Sequence, residues 1–442
     1  MKNILVLLFI FNALTLYALG QNENNFITDG RGVITGYNGE NNFIIIPNQI
    51  DGVSITTIDN STFKNKSLSY VIIPSNITYI GDEAFADNNL NSITIHDNVI
   101  IGERAFSNNL LTRLYIGNNV IINSWAFSNN RLSNITVGNN VSIREGAFEN
   151  NRLTRLIIGN NCSIAYDSFK GNNIFAIELG EENHLQPTSF NNVNMYFDYL
   201  CNNRRGGVYD NSINYELKNE GDYGFIETRY GTVIIQYNGS VESNFIIPHM
   251  LGGSIIKGIG CHIDVDKGFA IGAFEGKHIK NVQIQNGIIF IDNSSFRNNR
   301  LVSVTIPVSV TYIGDNAFFN NQLTNVIIDN GVIYIGSHSF FSNVNSANRL
   351  TSVTLGNSVK HIGDYAFTGN QLTTINIPDS VVYIGNSTFE GNNLNKVTIG
   401  NNVNYIGDYA FACNQLINII IPNSITHIGN SAFDVNVFMY RQ

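Results

Sequence analysis

The amino-acid sequence predicts a mainly β solenoid that occurs twice along the chain. Two observations predict it. A motif of 21 or 22 residues recurs in phase along most of the 442 residues, and the segment before the first run of motifs returns about 200 residues later. One copy of so short a motif has an apolar face that it cannot bury alone, whereas stacked copies bury it against each other. We therefore expect two arrays of stacked coils.

A phenylalanine marks each copy of the motif. Within each run the spacing is 21 or 22 residues, except for one interval of 27 that we interpret as a loop insertion around residues 344–348. Each copy reads as a strand, a second short extended segment, a Gly-containing turn and an Asn-rich exit. The marking residues are Phe63, Phe85, Phe106, Phe127, Phe148, Phe169, Phe190, Phe274, Phe296, Phe318, Phe340, Phe367, Phe389, Phe411 and Phe433.

The segments that precede the two runs share a pattern of their own. Residues 32–39 and 42–47 alternate and turn like a β-hairpin that leads into a third strand, and they return as residues 231–239 and 244–248. Because the apolar end of a solenoid must be covered, we interpret them as caps. The predicted domains are a signal peptide (1–20), a β cap (21–60), array 1 (61–195), an array edge and connector (196–222), a second β cap (223–270) and array 2 (271–442).

The N-terminus has the pattern of a secretory signal peptide. Lys2 precedes an apolar run over residues 4–19, and Ala18 and Gly20 are small residues placed for cleavage after Gly20. The run is shorter than the roughly 20 residues of a membrane-spanning helix, and no later stretch is apolar over 18 residues. The sequence therefore predicts a mature chain without a transmembrane segment, either secreted or exposed at the cell surface.

Charge and cysteine content exclude several classes of function. The net charge is −9, and no basic cluster suited to nucleic acid is present. Cys162, Cys201, Cys261 and Cys413 include no CxxC pair, which disfavours a zinc site. Cys162 occupies a core position of its coil. Cys201 and Cys261 fall outside the regular repeats, and a disulfide between them stays open because spacing does not show proximity.

Two polar positions of the motif have an expected structural role. A short acceptor, mostly Asp or Asn, follows each Ile-Gly pair, and we interpret it as a cap of the turn that carries the phenylalanine inward. Asparagine pairs such as Asn320-Asn321 follow that turn, where they suit left-handed geometry or stacking as hydrogen-bonded ladders.

The complete motif is clearest in two consecutive coils of array 2. Residues 350–367 read LTSVTLGNSVKHIGDYAF and residues 372–389 read LTTINIPDSVVYIGNSTF. This pattern resembles the BspA-type leucine-rich repeat of bacterial surface proteins, over roughly residues 61–195 and 271–435. Array 1 departs from it by shorter coils and by Gly117, Gly138 and Gly159 in place of proline. The resemblance implies a leucine-rich repeat fold at or beyond the cell surface and, for some members, adhesion to matrix proteins such as fibronectin and fibrinogen.

No constellation of residues predicts catalysis. The acidic column Asp82, Asp315, Asp364 and Asp408 is explained by capping rather than by paired carboxylates. The eight histidines show no metal-ligand spacing, and neither GxSxG nor a phosphate-binding loop is present. We expect no enzyme activity, no cofactor and no metal.

Stacked coils align equivalent residues into columns, and two such columns are candidate binding surfaces. The residue before Ile-Gly is aromatic or His at Tyr79 and then at Tyr312, Tyr334, His361, Tyr383, Tyr405 and His427. Tyrosine is enriched in interfaces, but rings at this period also suit stacking between coils, and both interpretations stay open. The outward side of the first strand has mostly Ser, Thr and Asn in array 2, whereas array 1 has Arg113, Tyr115, Arg155 and Glu178 there. Trp125 lies at a turn position, where packing and recognition are equally plausible.

The pattern favours a secreted or surface-exposed binding protein that mediates adhesion to host matrix or neighbouring-cell macromolecules. Its expected partner is an extracellular protein or glycan. Two alternatives stay open: a structural scaffold that self-associates without a specific ligand, and a glycan-binding module that uses the tyrosine column.

Overall fold

Each coil contributes one longer and one shorter parallel strand, and the two kinds of strand form separate ladders. The computed structural model describes residues 23–437 apart from 187, 191–192, 203, 206, 211–215, 241–244, 265–268 and 343–347. The predicted signal peptide with its cleavage after Gly20, and residues 344–347 of the predicted insertion, lie outside these residues. The chain divides into two compact units, residues 1–199 with 204–214 and residues 200–203 with 215–442.

The short strands of the first unit form one nine-stranded ladder that begins with an antiparallel hairpin and continues in parallel. In ladder order its strands are Phe26–Thr28, Val33–Tyr37, Thr57–Ile58, Tyr79–Ile80, Ile100–Ile101, Ile121–Ile122, Ser142–Ile143, Ser163–Ile164 and His184–Leu185. The hairpin follows a 3-10 turn, Glu23–Asn25, and covers the first coil.

The long strands of array 1 form a six-stranded sheet. Its strands are Ser92–Ile95, Arg113–Ile116, Asn134–Val137, Arg155–Ile158 and Ala176–Leu179, closed by antiparallel Gly207–Asp210. Two small pairs lie before them, Phe43–Ile45 with Tyr70–Ile72 and Gln49–Ile50 with Val53–Ser54.

The far end of array 1 is covered by the helix Val193–Cys201 and the antiparallel strand Gly207–Asp210. Tyr196, Phe197, Tyr199 and Tyr209 are all buried there. The Tyr199 hydroxyl accepts from the Asn183 amide at 2.7 Å. This segment therefore supplies the polar and apolar partners that a further coil would have supplied.

The short strands of the second unit lie in a twelve-stranded sheet that again begins with antiparallel strands. Its strands are Lys218–Glu220, Tyr223–Thr228, Gly231–Tyr237, Ser254–Ile259 (with Met250–Leu251 beside it), Phe290–Ile291, Tyr312–Ile313, Tyr334–Ile335, His361–Ile362, Tyr383–Ile384, Tyr405–Ile406 and His427–Ile428.

The long strands of the second unit pair less continuously. Phe245–Ile246 pairs with Val282–Gln283, and Cys261–Asp264 forms a hairpin with Phe269–Gly272. Ser303–Ile306, Asn325–Ile328 and Ser352–Thr354 form a three-stranded sheet, and Thr374–Asn376 pairs with Lys396–Thr398. The sheet is thus interrupted between Ser352–Thr354 and Thr374–Asn376.

The core of each array is a column of stacked phenylalanines. From Phe63 to Phe190 and from Phe274 to Phe433, neighbouring ring centroids are 5.0–5.5 Å apart and the ring planes lie within 16° of each other. Most of these rings are fully buried. The parallel orientation follows from the coil repeat, because each phenylalanine has the same backbone environment as the one before it.

A second internal column consists of asparagines that bond to the backbone of two coils. Asn321 Nδ2 donates to the carbonyl oxygens of Phe318 at 3.0 Å and Phe296 at 2.9 Å, and its Oδ1 accepts from Leu301 N at 3.1 Å. The residue before it, Asn320, has a φ of 55°. The same bonds recur at Asn109, Asn130, Asn151, Asn299, Asn370, Asn392 and Asn414. The prediction of left-handed geometry is confirmed at Asn108, Asn129 and Asn320, whereas Asp87 and Gly391 have the positive φ before the pairs that begin at 88 and 392. Side-chain ladders of Asn form among residues 108, 129 and 150, and the inner column is buried.

The interpretation of the acceptor after Ile-Gly as a cap of its own turn is wrong. Asp82 Oδ1 accepts from the backbone N of Glu103 at 2.7 Å, and Asp364 Oδ1 accepts from Asn386 N at 2.8 Å. Each donor belongs to the equivalent position of the next coil. Because coils are stacked in register, the nearest unsatisfied N–H is in the following coil, and the side chain joins the two coils.

The predicted core position of Cys162 is confirmed, since its side chain is 1% exposed. The disulfide between Cys201 and Cys261, which the sequence left undecided, is not formed. Cys261 Sγ instead donates to Oδ2 of the buried Asp292 at 3.2 Å. Burial raises the pKa of both thiols, that of Cys162 to about 11, so neither is a reactive thiolate at neutral pH.

We predict that Asn321→Leu lowers the free energy of unfolding by roughly 2–5 kcal/mol, because it leaves one N–H and two carbonyl groups buried without their partner. Urea unfolding followed by circular dichroism measures the change. Asn325→Ala, on the exposed outer face of a neighbouring strand, is the matched control and should stay within about 0.5 kcal/mol of the parent. Equal stability of the two variants would contradict a structural role for the inner ladder.

Candidate functional site

The outward face of the array 1 sheet exposes large side chains on a continuous parallel ladder. In strand Arg113–Ile116 the side chains alternate, so that Leu114 and Ile116 are buried while Arg113 and Tyr115 face solvent. Tyr115 is 56% exposed, although a tyrosine in a sheet usually packs against its neighbours. The alternation follows directly from the sequence pattern, because the inward positions are apolar in every coil.

Register places the candidate residues of array 1 in two adjacent columns. Asn134 separates Arg113 from Arg155, and Thr136 separates Tyr115 from Ile157. Residues two strands apart in a sheet are about 10 Å apart. The structure therefore brings together Arg113, Tyr115 and Arg155, and it adds Ile157, which is 38% exposed. We name these four residues the array 1 patch.

The charges of the array 1 patch are only weakly compensated. Arg155 Nη2 lies 3.5 Å from Oε2 of Glu178, and both side chains are about half exposed, so this ion pair contributes little to stability. Arg113 has no ion pair within the part of the chain that the structure describes. The small neighbours Ser92, Asn134 and Thr136 leave the long side chains of the patch accessible from the front of the sheet.

The aromatic column of array 2 forms a continuous stack. Successive centroids from Tyr312 through Tyr334, His361, Tyr383 and Tyr405 to His427 are 5.3, 4.6, 4.3, 4.7 and 4.5 Å apart, with planes within 15°. Tyr312 and Tyr334 are buried, the next three rings are half-buried, and His427 is exposed. Each internal ring face is therefore covered by its neighbours, and the ring edges face outward.

The corresponding column of array 1 is not a stack of rings. Tyr79 lies between Thr57 and Ile100 in the ladder, and the following positions are Ile121, Ser142, Ser163 and His184. Burial raises the pKa of the half-buried Tyr79 hydroxyl, and the nearby Asp82 and Asp59 carboxylates raise this pKa further. The tyrosine column is thus a property of array 2.

Sequence reasoning missed an aromatic cluster on the turn side of each array. In array 1 the Arg104 guanidinium lies 4.8 Å from the centroid of Trp125, and Trp125 Nε1 donates to Glu149 Oε2 at 3.0 Å. A Cβ at Gly146 in the next coil would lie 2.4 Å from Trp125 Nε1. Only glycine therefore leaves room for the indole ring.

In array 2 the corresponding cluster has more rings. Phe319 stacks on Phe341, His338 stacks on Tyr365 at 4.8 Å, and Arg297 covers Phe319 at 5.4 Å. Burial lowers the pKa of His338, an effect that the Asp364 carboxylate opposes. Two columns of the sequence would have signalled these clusters. The residue two positions after Ile-Gly is Arg104, His338 or Tyr365, and the residue directly after the marking phenylalanine is Arg297, Phe319 or Phe341.

The arrangement contains no metal-binding cluster: across the described residues, no three His, Cys, Asp or Glu side chains lie where they could hold an ion. The described residues also include no helix that is both long and apolar enough to cross a membrane. What the site presents is columns of side chains on regular ladders, an arrangement suited to surface contact.

Comparison with known proteins identifies one matching family. The family model described as "BspA type Leucine rich repeat region (6 copies)" matches residues 56–176, 269–348 and 342–437, which is more than half of the chain. No curated protein sequence matches the chain significantly.

Among solved structures, a leucine-rich repeat protein from Eubacterium ventriosum is 16% identical over 93% of this chain and 90% of its own, with a TM-score of 0.33. A leucine rich cell surface protein from Faecalibacterium prausnitzii is 19% identical, with 86% and 94% covered and a TM-score of 0.28. A leucine-rich repeat protein from Bacteroides ovatus is 17% identical, with 92% and 89% covered and a TM-score of 0.28.

We predict that Tyr334→Ser with Tyr383→Ser lowers the melting temperature, because the change removes two rings from the middle of a stack. The loss of each ring should lower the free energy of unfolding by roughly 1–3 kcal/mol. Differential scanning calorimetry measures the shift. Tyr409→Ser, which removes a 48% exposed ring from a turn of the same array, should have a much smaller effect. An unchanged melting temperature in the double variant would contradict a structural role for the column.

Proposed function

The chain belongs to the BspA-type leucine-rich repeat family, and we propose that it is a secreted or surface-exposed binding protein that mediates adhesion to host matrix or neighbouring-cell macromolecules without catalysis. The apolar N-terminal run and the small residues Ala18 and Gly20 support export with cleavage after Gly20. The partner in this proposal is an extracellular protein.

The exposure of the array 1 patch is the observation that carries the proposal. Tyrosine and arginine are the residues that most often dominate protein interfaces, because each combines a large contact area with polar groups. Here Tyr115 is 56% exposed and is flanked at strand spacing by Arg113, Arg155 and Ile157. An exposed group of this composition has no role in the core of its own array.

The rigidity of the ladder adds to the affinity that such a patch can reach. Every patch residue lies on a strand that is paired on both sides. The coils that contain these strands are also joined through turn side chains, as where Asn129 Nδ2 donates to Asn108 Oδ1 at 3.0 Å. A surface that is already ordered loses less conformational entropy on binding than a flexible loop does.

The aromatic column of array 2 supports the proposal less strongly. Stacking of a sugar or a planar group needs a free ring face, and the internal ring faces of this column are covered by neighbours at 4.3–5.3 Å. We propose that Tyr312, Tyr334, His361, Tyr383 and Tyr405 chiefly hold coils together. His427 has one ring face beyond the stack, and it is exposed.

The experiment that tests the proposal measures saturable binding of residues 21–442 to immobilised fibronectin, fibrinogen and a set of glycans by biolayer interferometry. We expect binding to a protein ligand, and a loss of at least tenfold in affinity for Arg113→Ala with Tyr115→Ala, because this pair contains the main exposed anchors. Ser303→Ala with Thr305→Ala changes the same two outward positions of an array 2 strand and is the matched control.

Equal binding by both double variants would contradict a role of the array 1 patch in binding. Binding to none of these surfaces by a folded monomer would favour the structural alternative. The melting temperature should not change for either double variant, because all four side chains face outward.

A further inference from the structure

Array 2 has a cleft of about 720 Å³ on the outward side of three successive coils. The coils contribute Thr374–Asn376, Lys396–Thr398 and residues 418–420, which hold the same position one coil later. Five exposed outward side chains of these segments line the cleft, namely Asn376, Lys396, Thr398, Asn418 and Ile420. The volume is within the range of ligand sites in proteins. None of these residues belongs to the array 1 patch or to the aromatic column.

The corner that follows the strands forms a wall of the cleft. Pro378, Gly400 and Pro422 hold equivalent positions in the three coils, and all three line the cleft. A Cβ at Gly400 would lie 2.3 Å from the Pro378 carbonyl oxygen, so only glycine fits the middle coil. Gly400 therefore adds no side chain that would fill the space between the two proline rings.

Four polar side chains of the cleft are free to bind a ligand. Within the part of the chain that the structure describes, no hydrogen bond or ion pair joins another residue to the side chains of Asn376, Lys396, Thr398 and Asn418. Two amides and a hydroxyl offer both donors and acceptors, and the ammonium group offers donors. This combination matches a ligand whose own groups both donate and accept, as sugar hydroxyls do.

A fifth polar group of the cleft lacks the partner that its equivalents have. Ser309 Oγ donates to the Ile288 carbonyl at 2.8 Å, and Ser424 Oγ donates to the Val403 carbonyl at 2.7 Å. At the equivalent position Ser380 lines the cleft, and its Oγ is buried without a partner among the described residues. A buried hydroxyl without a partner is unfavourable. A hydroxyl group rotates readily, so a ligand in the cleft can satisfy it.

The cleft also has an apolar surface and a repeat that suit a saccharide chain. Ile420 is 86% exposed, more than any other large apolar side chain of the described residues. The C–H face of a pyranose ring packs on such a side chain and removes it from water. Neighbouring strands are about 4.8 Å apart, which is close to the length of one unit in an extended β-1,4-linked glycan. Each coil therefore meets about one sugar unit.

We propose that this cleft binds a neutral β-1,4-linked oligosaccharide that lies along the array with about one sugar unit per coil. Its hydroxyl groups bond to Asn376, Thr398 and Asn418, and a ring face packs on Ile420. The ligand is neutral because the lining has one cation, Lys396, and one carboxylate, Asp379. The site goes beyond the proposed protein-binding function and uses no residue of the array 1 patch, so the two proposals can fail separately.

Isothermal titration calorimetry of residues 21–442 with chitotriose and with cellotriose tests the proposal. At least one of these trisaccharides should show saturable binding, and Asn376→Ala with Asn418→Ala should weaken that binding at least tenfold. Asn325→Ala with Ser352→Ala changes exposed outward side chains of earlier coils that do not line the cleft and is the matched control. Arg113→Ala with Tyr115→Ala should also bind the trisaccharide like the parent. Binding of neither trisaccharide, or equal affinity of the parent and the Asn376→Ala, Asn418→Ala variant, would overturn the proposal.

A pair of serine variants separates binding from stability. Ser380→Ala should weaken trisaccharide binding about threefold to tenfold, the contribution of one hydrogen bond. It should leave the melting temperature of the free protein unchanged, because the hydroxyl has no partner there. Ser309→Ala removes a bonded hydroxyl, so it should lower the melting temperature and leave the affinity unchanged. Parent affinity in Ser380→Ala, or a loss of affinity in Ser309→Ala as large as in Ser380→Ala, would overturn the assignment of the site.

Discussion

The buried asparagine of each coil is the interaction on which the rest of the structure depends. An amide buried in an apolar core is costly unless its donors and acceptor are satisfied. In Asn321, Asn370 and Asn392 they are satisfied because four backbone groups of the same and the preceding coil, three carbonyls and one N–H, converge on each side chain. The geometry that satisfies one asparagine sets the position of the next coil, and repetition of that geometry stacks the phenylalanines.

Strict repetition has a consequence for function. Inward positions repeat because each must fit the coil before it, whereas outward positions touch only their equivalents one coil away and are free to differ. At its outward strand positions array 1 has Arg113, Tyr115, Arg155 and Ile157, whereas array 2 has Ser, Thr and Asn at most of the same positions. Two arrays of one architecture therefore present surfaces of different chemistry.

The ends of the arrays are the places where repetition must stop. Array 1 ends in a helix and an antiparallel strand that bond to its last coil, and each array begins with antiparallel strands. In the last described coil of array 2, residues 417–421 form no strand beside Lys396–Thr398.

The sequence alone determined the repeat period, the two arrays with their caps, the inward residues and the outward candidates Arg113, Tyr115 and Arg155. It could do so because a coil of 21 or 22 residues places equivalent side chains in equivalent environments, and the period is visible in the phenylalanines. It also left the role of the tyrosine column open. Only the tertiary structure showed that Asp82 and Asp364 bond to the next coil rather than to their own turn. It alone brought together Trp125 with Arg104, and it alone showed that residues 417–421 form no strand beside Lys396–Thr398. These features depend on distances between coils, and a linear pattern contains the order of coils but not the space between them.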